Sequence, residues 1–287
     1  MRRLLTLPLI LIILISLCTV CSCEDAPDTS VTMICLNAGK ADCILLSIEG
    51  NYYLIDTGYK HTADLMLEML KREGVDRLKG VFLTHSHKDH YGGLTALAAS
   101  SIPIDAFYAP QYCVDGNGAK HPLVIAAARR GQAVQFLQSG DSLDISKTAR
   151  FDILGPVSFD RENENNNSLV MRLETPDGSI LLTGDMKFEE ERDLLKSGLL
   201  SMTDVLKVAF HGDNTSTSDS FLAAVRPRVG VISTSSAEEK DTPSKDTLYR
   251  LAAVGCETYV TQNAESAIRL VLDDGKITVS MENWKQD

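Results

Sequence analysis

The apolar positions of this chain fall into short runs broken by Gly, Pro, Asn and Asp, and two periodicities alternate along them. Runs at 31–37 and 43–48 flank the turn Ala38-Gly39-Lys40-Ala41-Asp42. A third, at 52–55, follows Glu49-Gly50-Asn51 and ends at Asp56-Thr57-Gly58. All three read as strands. Residues 61–72 change to helical spacing, with Gly74 as the stop. A strand at 80–83, a helix at 94–99, a short strand at 106–109 and a helix at 122–130 capped by Gly131 follow. Strands near 134–137 and 142–154 then lead to the polar loop Arg161-Glu162-Asn163-Glu164-Asn165-Asn166-Asn167.

The second half resembles the first. Strands at 168–174 and 179–182 make a hairpin about Pro176-Asp177-Gly178 that ends at Thr183-Gly184-Asp185. A helix at 188–196, a strand at 205–210, a helix at 218–225, a strand at 229–233 and a helix at 245–253 come next. Strands at 258–260, 267–272 and 277–281 close the chain. Hairpins first and strand–helix units second, occurring twice, predict an α/β (α+β) architecture of two sheets face to face with helices outside. No linker or repeat array divides it, so residues 31–287 form one domain.

The first residues are a separate object. Arg2-Arg3 precede an apolar run over 4–17, and Cys18-Thr19-Val20-Cys21-Ser22-Cys23 follows. A basic start, a short apolar stretch and small residues make an export signal; the run is too short for a confident membrane span. Val20-Cys21-Ser22-Cys23 resembles a bacterial lipobox. That implies removal of a signal peptide over 1–22, a lipid on Cys23 as the only membrane attachment, and a polar tether over 23–30. Plain cleavage with secretion and an uncleaved anchor are the alternatives.

Charge narrows the partners. The whole chain carries 28 basic and 39 acidic side chains, net −11; loss of Arg2 and Arg3 gives 26 − 39 = −13. An acidic surface disfavours extended nucleic acid, whose backbone calls for basic patches, though metal ions can still hold a polyanion locally. The cysteines lack metal-finger spacing. Cys35 and Cys43 flank the Gly39 turn at equal distance; they read as buried thiols, with a disulfide across the hairpin as the alternative in an oxidising compartment.

The densest chemistry lies at Thr84-His85-Ser86-His87-Lys88-Asp89-His90, directly after the apolar run Gly80-Val81-Phe82-Leu83. Ligand crevices of layered α/β proteins form at such strand ends. Imidazole nitrogens and carboxylate oxygens are the ligand set of zinc and other divalent transition ions. His85 and His87 point to one side of extended backbone, while Asp89 and His90 point at a second position. Four ligands in so short a span strain around one tetrahedral ion, so two adjacent metals are expected. Asp185, at another strand end, is the candidate bridging carboxylate. His211, in Leu206-Lys207-Val208-Ala209-Phe210-His211-Gly212, is a further candidate ligand. His61 and His121 are expected in solvent.

This set, on a duplicated strand-rich frame, resembles the metallo-β-lactamase superfamily and, more narrowly, its ComEC-like group. Leu36-Asn37-Ala38-Gly39-Lys40-Ala41-Asp42, Leu54-Ile55-Asp56-Thr57-Gly58, Asn166-Asn167-Ser168-Leu169-Val170, Leu181-Leu182-Thr183-Gly184-Asp185 and Lys207 to Gly212 with Thr215-Ser216-Thr217-Ser218 carry the likeness. It implies a four-layer αββα sandwich and a dinuclear hydrolase. The cofactors would be two divalent ions, zinc first and manganese or iron as alternatives. By position His85 and His87 hold one ion; Asp89, His90 and His211 hold the other; Asp185 bridges. Asp89 and Asp185 then take part in catalysis by an activated water, and Asp56 orients a ligand histidine through its ring N–H. A histidine that many members place before the strand at 168 is replaced by asparagines, leaving Asn166 or Asn167 beside the first metal. The group's His-His pair appears as Phe210-His211, and its "GHPS" as Asp241-Thr242-Pro243-Ser244.

Thr215, Ser216, Thr217 and Ser218 are the candidate substrate contacts, an anion site at a helix start, with a plain helix cap as the other reading. The expected function is an exported phosphodiester or phosphoester hydrolase. The ComEC-like group is linked to cleavage of DNA strands at the cell surface, and teichoic-acid phosphorylcholine esterases look similar. The negative charge points instead to small or wall-attached phosphoesters. Hydrolysis of a lactam, lactone or thioester, and a non-catalytic surface binding module, are the rivals.

Overall fold

A computed structural model describes residues 29–111 and 121–285. The expected signal peptide, the lipidated Cys23 and most of the tether lie outside these residues.

The first half runs β1 (Val31–Leu36), β2 (Ile44–Ile48), β3 (Asn51–Ile55), α1 (Ala63–Arg72), β4 (Leu78–Phe82), α2 (Lys88–Tyr91), α3 (Leu94–Ala99), β5 (Phe107–Pro110), α4 (Pro122–Arg129) and β6 (Val134–Leu137). The second half runs β7 (Ser142–Asp144), β8 (Arg150–Gly155), β9 (Val170–Thr175), β10 (Gly178–Leu182), α5 (Phe188–Ser197), β11 (Val205–Lys207), α6 (Asp219–Val225), β12 (Val229–Ile232), α7 (Lys245–Ala253) and β13 (Glu257–Val260). Then β14 (Ala267–Asp273) and β15 (Lys276–Glu282) return to the first sheet. That eight-stranded sheet has the order β15-β14-β1-β2-β3-β4-β5-β6; the seven-stranded one has β13-β12-β11-β10-β9-β8-β7.

Both faces of the central strands are covered, which is why they read as nearly continuous apolar runs. Val31, Met33 and Cys35 of β1 enter the core between the sheets with Phe82, Phe151, Met171 and Ile180. Ile34 and Leu36 face outward against Met66, Leu70, Leu97 and Leu123 of α1, α3 and α4. On the far side Leu194, Phe221, Leu222 and Leu251 of α5, α6 and α7 cover the second sheet. The layers are therefore helix, sheet, sheet, helix, the αββα sandwich expected from the sequence. Among the described residues no helix is long and apolar enough to cross a membrane.

Two expectations need correction. The strand at 142–154 is two strands, because Ser146 Oγ accepts from the Thr148 and Ala149 amides and turns the chain. The strand at 205–210 stops at Lys207; Phe210 and His211 instead adopt φ of 47° and 53° in a tight turn. Cys35 and Cys43 are buried free thiols, the reading the sequence favoured over a disulfide, and they lie on opposite faces of the first sheet. Cys35 pairs across the ladder with Ile44, so the register is one residue off for a bridge.

One buried ion pair joins the two sheets. Lys207 Nζ of β11 donates to Asp42 Oδ2 of the β1–β2 loop at 2.8 Å, with side chains only 1% and 2% exposed. Lys207 also donates to Val208 O, and the Asp42 backbone binds the Asp89 carbonyl and the Gly58 amide. Removing one member of such a pair leaves a bare charge in the interior. Lys207→Met should cost about 3–5 kcal/mol, with the double variant carrying Asp42→Asn as well recovering part of it, measured by urea unfolding. Phe151 packs edge-on to Tyr53 and Phe82 at 5.8 and 5.3 Å. Phe151→Ala should also cost about 3–5 kcal/mol; a loss below 1 kcal/mol would contradict a well-packed seam between the sheets.

Candidate metal centre

The loops that matter leave the C-terminal ends of two parallel strand pairs. Asp56 follows β3 and the histidine loop follows β4; Asp185 follows β10, and His211 comes shortly after β11. Leu169 N–H donates to Thr84 O at 2.9 Å and ties the loops of the two halves together, and within the second half Asp185 N–H donates to Ser168 Oγ at 3.0 Å. Gly184 has φ +50°, and an added Cβ would meet Ser168 and Thr84 at 3.0 Å, so this crossing requires glycine.

The six sequence-predicted ligand residues meet in one place. Asp185 Oδ2 lies 3.3 Å from His90 Nε2, 3.4 Å from His211 Nε2 and 3.6 Å from His85 Nε2. Asp89 Oδ2 lies 3.4 Å from His211 Nε2, and His87 Nδ1 lies 2.9 Å from His85 Nε2. Two groups result, Asp89-His90-Asp185-His211 and His85-His87-Asp185, with Asp185 in both. The His85, His90 and His211 side chains are fully buried, whereas Asp89 is 18% exposed, so the mouth opens beside Asp89 and His87.

The far ring nitrogens fix the tautomers. His211 Nδ1–H donates to Ser233 O at 2.8 Å. Asp56 Oδ2 lies 2.7 Å from His90 Nδ1, and its carboxylate also accepts from the Thr84 amide and hydroxyl. Each Nε2 then turns an unshared pair toward the cluster. His90 Nε2, His211 Nε2 and Asp185 Oδ1 are buried without a hydrogen-bond partner. Leaving such atoms unpaired costs about 1–3 kcal/mol each, and divalent cations between them would remove that cost. The residues fit the ions. A third group, Asp42-Asp56-His90, is also close, but its carboxylates are committed to Lys207 and to Thr84 and His90, so it supports the cluster from behind.

Electrostatics bind the cluster further. Burial pushes the Asp185 carboxyl up, but the His211 and His90 charges outweigh it and hold it well below the usual range. Burial also opposes ionisation of Asp89, which the His211 hydrogen bond and the His90 charge bring down to about 2. Against burial, Asp185 raises His90 well above an ordinary imidazole and His211 to about 9. His85 goes the other way: burial, then repulsion by His90, push it well down.

Other sequence-predicted residues have different surroundings. Asn166 and Asn167 are buried but turned away from the histidines. Asn166 donates to Asp160 and Glu189 and accepts from the Lys187 amide, and Asn167 holds both backbone groups of Asp160. They brace the loop after Asp185 and offer no ligand atom to the cluster. The expected anion site at Thr215, Ser216, Thr217 and Ser218 is filled from within. Glu191 takes the Thr217 and Ser218 amides, Ser218 Oγ caps α6, Ser216 Oγ binds Ala209 O, and Thr215 binds Asp213. The helix-cap reading is the one this geometry supports.

His121, expected in solvent, is buried. Its Nδ1 accepts from the Leu123 amide and its Nε2 lies 2.6 Å from Ser86 Oγ, between the two histidines of the metal loop. His61 is exposed, stacked on Tyr59 at 5.1 Å. Sequence reasoning also left Asp42 and Lys207 without a role; a lysine inside an apolar strand was the available signal.

Cation binding requires deprotonated Nε2 atoms. Because His211 sits at about 9 and His90 is also raised, loading at pH 7 should expel protons. Apparent affinity should rise with pH up to about 9. Calorimetric titration with Zn²⁺ in two buffers of different ionisation enthalpy measures this; identical heats in both would contradict it.

The Metallo-beta-lactamase superfamily profile matches residues 36–236, well over half of the chain. "ComE operon protein 3" of Bacillus subtilis (strain 168) is 32% identical over 170 residues, 59% of this chain and 21% of that protein. "Competence protein ComA" of Neisseria gonorrhoeae is 30% identical over 236 residues, 81% of this chain and 31% of that protein. The chain thus spans between about a fifth and a third of the length of these relatives. Among solved structures, a diphosphatase from the PhnP family aligns with TM-score 0.52 and 15% identity, over 80% of this chain and 94% of the other, which is agreement of fold. With the profile match laid over two facing sheets and a cluster of strand-end histidines and carboxylates, the chain belongs to the metallo-beta-lactamase superfamily of metal-dependent hydrolases.

Proposed function

We propose that this protein is a dinuclear phosphodiesterase acting outside the cytoplasmic membrane. The observation that carries the reading is the position of Asp185 Oδ2, within 3.6 Å of three imidazole Nε2 atoms drawn from both halves of the chain. Two cations bound there, zinc by preference with manganese or iron as alternatives, would supply Lewis acidity and lower the pKa of water.

The chain's own residues do the rest. His85 and His87 hold the first position, Asp89, His90 and His211 the second, and Asp185 is shared. Asp56 and the Ser233 carbonyl fix two of the rings. Asp89, ionised above about pH 2 and exposed at the mouth, is placed to hold the proton of an attacking water at Oδ2. A phosphoester is preferred because two ammonium groups gather at the residue next to the ligand His211. Lys40 and Lys187 lie 5.6 and 5.0 Å from the ring of Phe210, the neighbour of His211. The fold neighbour described as a diphosphatase supports the same class.

Export rests on the sequence of residues 1–22, with lipid on Cys23 as the proposed anchor. The net charge of −11 favours a small or wall-attached phosphoester over extended nucleic acid.

Purified protein loaded with Zn²⁺ or Mn²⁺ should hydrolyse bis(p-nitrophenyl) phosphate and lose the activity to a chelator. Asp185→Asn should abolish turnover. Asp56→Asn should lower metal affinity or activity by about 10–100-fold. Two bound metals with turnover of a lactam or thioester and none of the phosphodiester would replace this reading; metal without any turnover would make the protein a binding module.

A further inference from the structure

The one turn of α2 that carries Asp89 and His90 toward the cluster carries Lys88 and Tyr91 away from it. Three residues apart on a helix, Lys88 and Tyr91 share a face. They line a cavity of about 650 Å³ between α2, the 59–61 segment and α4, a size that encloses a small organic group. Its walls are apolar: Tyr59, Tyr91, Leu94, Pro122 and Ile125, the last 40% exposed in free solvent.

The rim has one sign among the described residues. Lys60, Lys88 and Arg129 line the cavity, as does His61, and no described aspartate or glutamate does, although the chain carries 39 acids against 28 bases. Among the described residues, none of these three long cationic side chains is held in an ion pair. An apolar wall beneath uncommitted cations is complementary to an amphiphilic anion.

The cavity is also next to the candidate metal centre. Lys88 and Tyr91 of its wall flank Asp89 and His90 of the cluster on the single turn of α2. One short helix thus has groove residues and cluster residues side by side along it.

We propose that this groove binds the single alkyl or acyl chain of an anionic phosphoester, with Lys88, Lys60 and Arg129 at its charged head and Tyr91, Leu94 and Ile125 along its chain. This deepens the phosphodiesterase reading: it assigns the substrate as a single-chain amphiphile whose phosphate reaches the cluster around α2. Apolar contact gives such a ligand roughly a fourfold gain in affinity for each methylene buried. The stacked Tyr59–His61 pair also suits a nucleobase, but the aliphatic wall of Leu94, Pro122 and Ile125 favours a chain.

Calorimetry on the purified protein, with decyl phosphate, methyl phosphate, decyltrimethylammonium and a single-stranded DNA oligonucleotide as probes, tests this. Decyl phosphate should bind at least tenfold more tightly than methyl phosphate or the cationic amphiphile. Ile125→Asp and Arg129→Glu should each weaken it about tenfold. Tyr249→Asp, on α7 over the other sheet, should leave it unchanged, since Tyr249 is equally a surface residue at 77% exposure. Equal affinity for decyl and methyl phosphate overturns the proposal. So does an oligonucleotide that binds through Ile125 and Arg129 when decyl phosphate does not. Turnover of bis(p-nitrophenyl) phosphate, read in parallel, separates the two ideas. Chain-dependent binding without turnover leaves the groove standing and removes the hydrolase. Turnover without chain-dependent binding does the reverse.

Discussion

A carboxylate buried to 1% exposure among three imidazoles is the constraint from which this structure follows. Asp185 cannot stay ionised there alone, because a bare charge in a low-dielectric interior is far too costly. It needs positive charge within contact distance, from protonated His90 and His211 or from metal ions. The imidazoles come from one sheet and the turn after the other, so the charge can be satisfied only when both halves are folded and pressed together. Lys207 and Asp42 repeat that logic a layer below, again with one partner from each sheet. Site and sandwich are thus mutually dependent: the seam between the sheets places the ligands, and the paired charges specify how the seam must register.

Backbone strain collects at the same end of the molecule. Asp56, Phe210 and His211 hold φ of 57°, 47° and 53°, where a residue with a Cβ pays on the order of 1 kcal/mol or more. For Asp56 the return is visible: its carboxylate reaches two groups of Thr84 and the far nitrogen of His90. For His211 the left-handed turn bends the chain off β11, so that Nδ1 reaches Ser233 on β12's exit while Nε2 reaches Asp185. A regular strand would send successive side chains to opposite faces and could not satisfy both.

Much of this was legible in the sequence, for definite reasons. Strands covered on both faces write themselves as apolar runs, and strand-end acids and histidines stand out because those residue types are scarce in cores. The cluster His85, His87, Asp89, His90, Asp185 and His211 was readable as residue types at strand ends. What was not legible is the competition for hydrogen bonds. Thr215 to Ser218 looked like an open anion site because nothing local shows that Glu191, more than twenty residues earlier, takes the amides. The asparagines before β9 looked like spare ligands, yet Asp160 and Lys187 use up their polar atoms. His121 looked like a surface residue because its cover, the metal loop at Ser86, comes from far upstream. Local pattern gives the elements and their ends; long-range pairing decides which polar groups are left for chemistry.

The exchange at position 210 shows how such a centre can be retuned without moving a ligand. The ComEC-like pattern has an imidazole there, a group able to carry a proton. Phenylalanine cannot, but its ring face attracts cations, and Lys40 and Lys187 both lie within 5.6 Å of it. Lys40 is at the same time tied by its amide to Glu238 and by its ammonium to Glu239. Two ammonium groups and two glutamates thus gather around one aromatic ring beside His211. The Lys40–Glu239 pair is an exposed and therefore weak one, so Lys40 is held there loosely. A single side chain thus exchanges a group able to carry a proton for a ring face that gathers positive charge, one residue from the metal-ligand candidate His211.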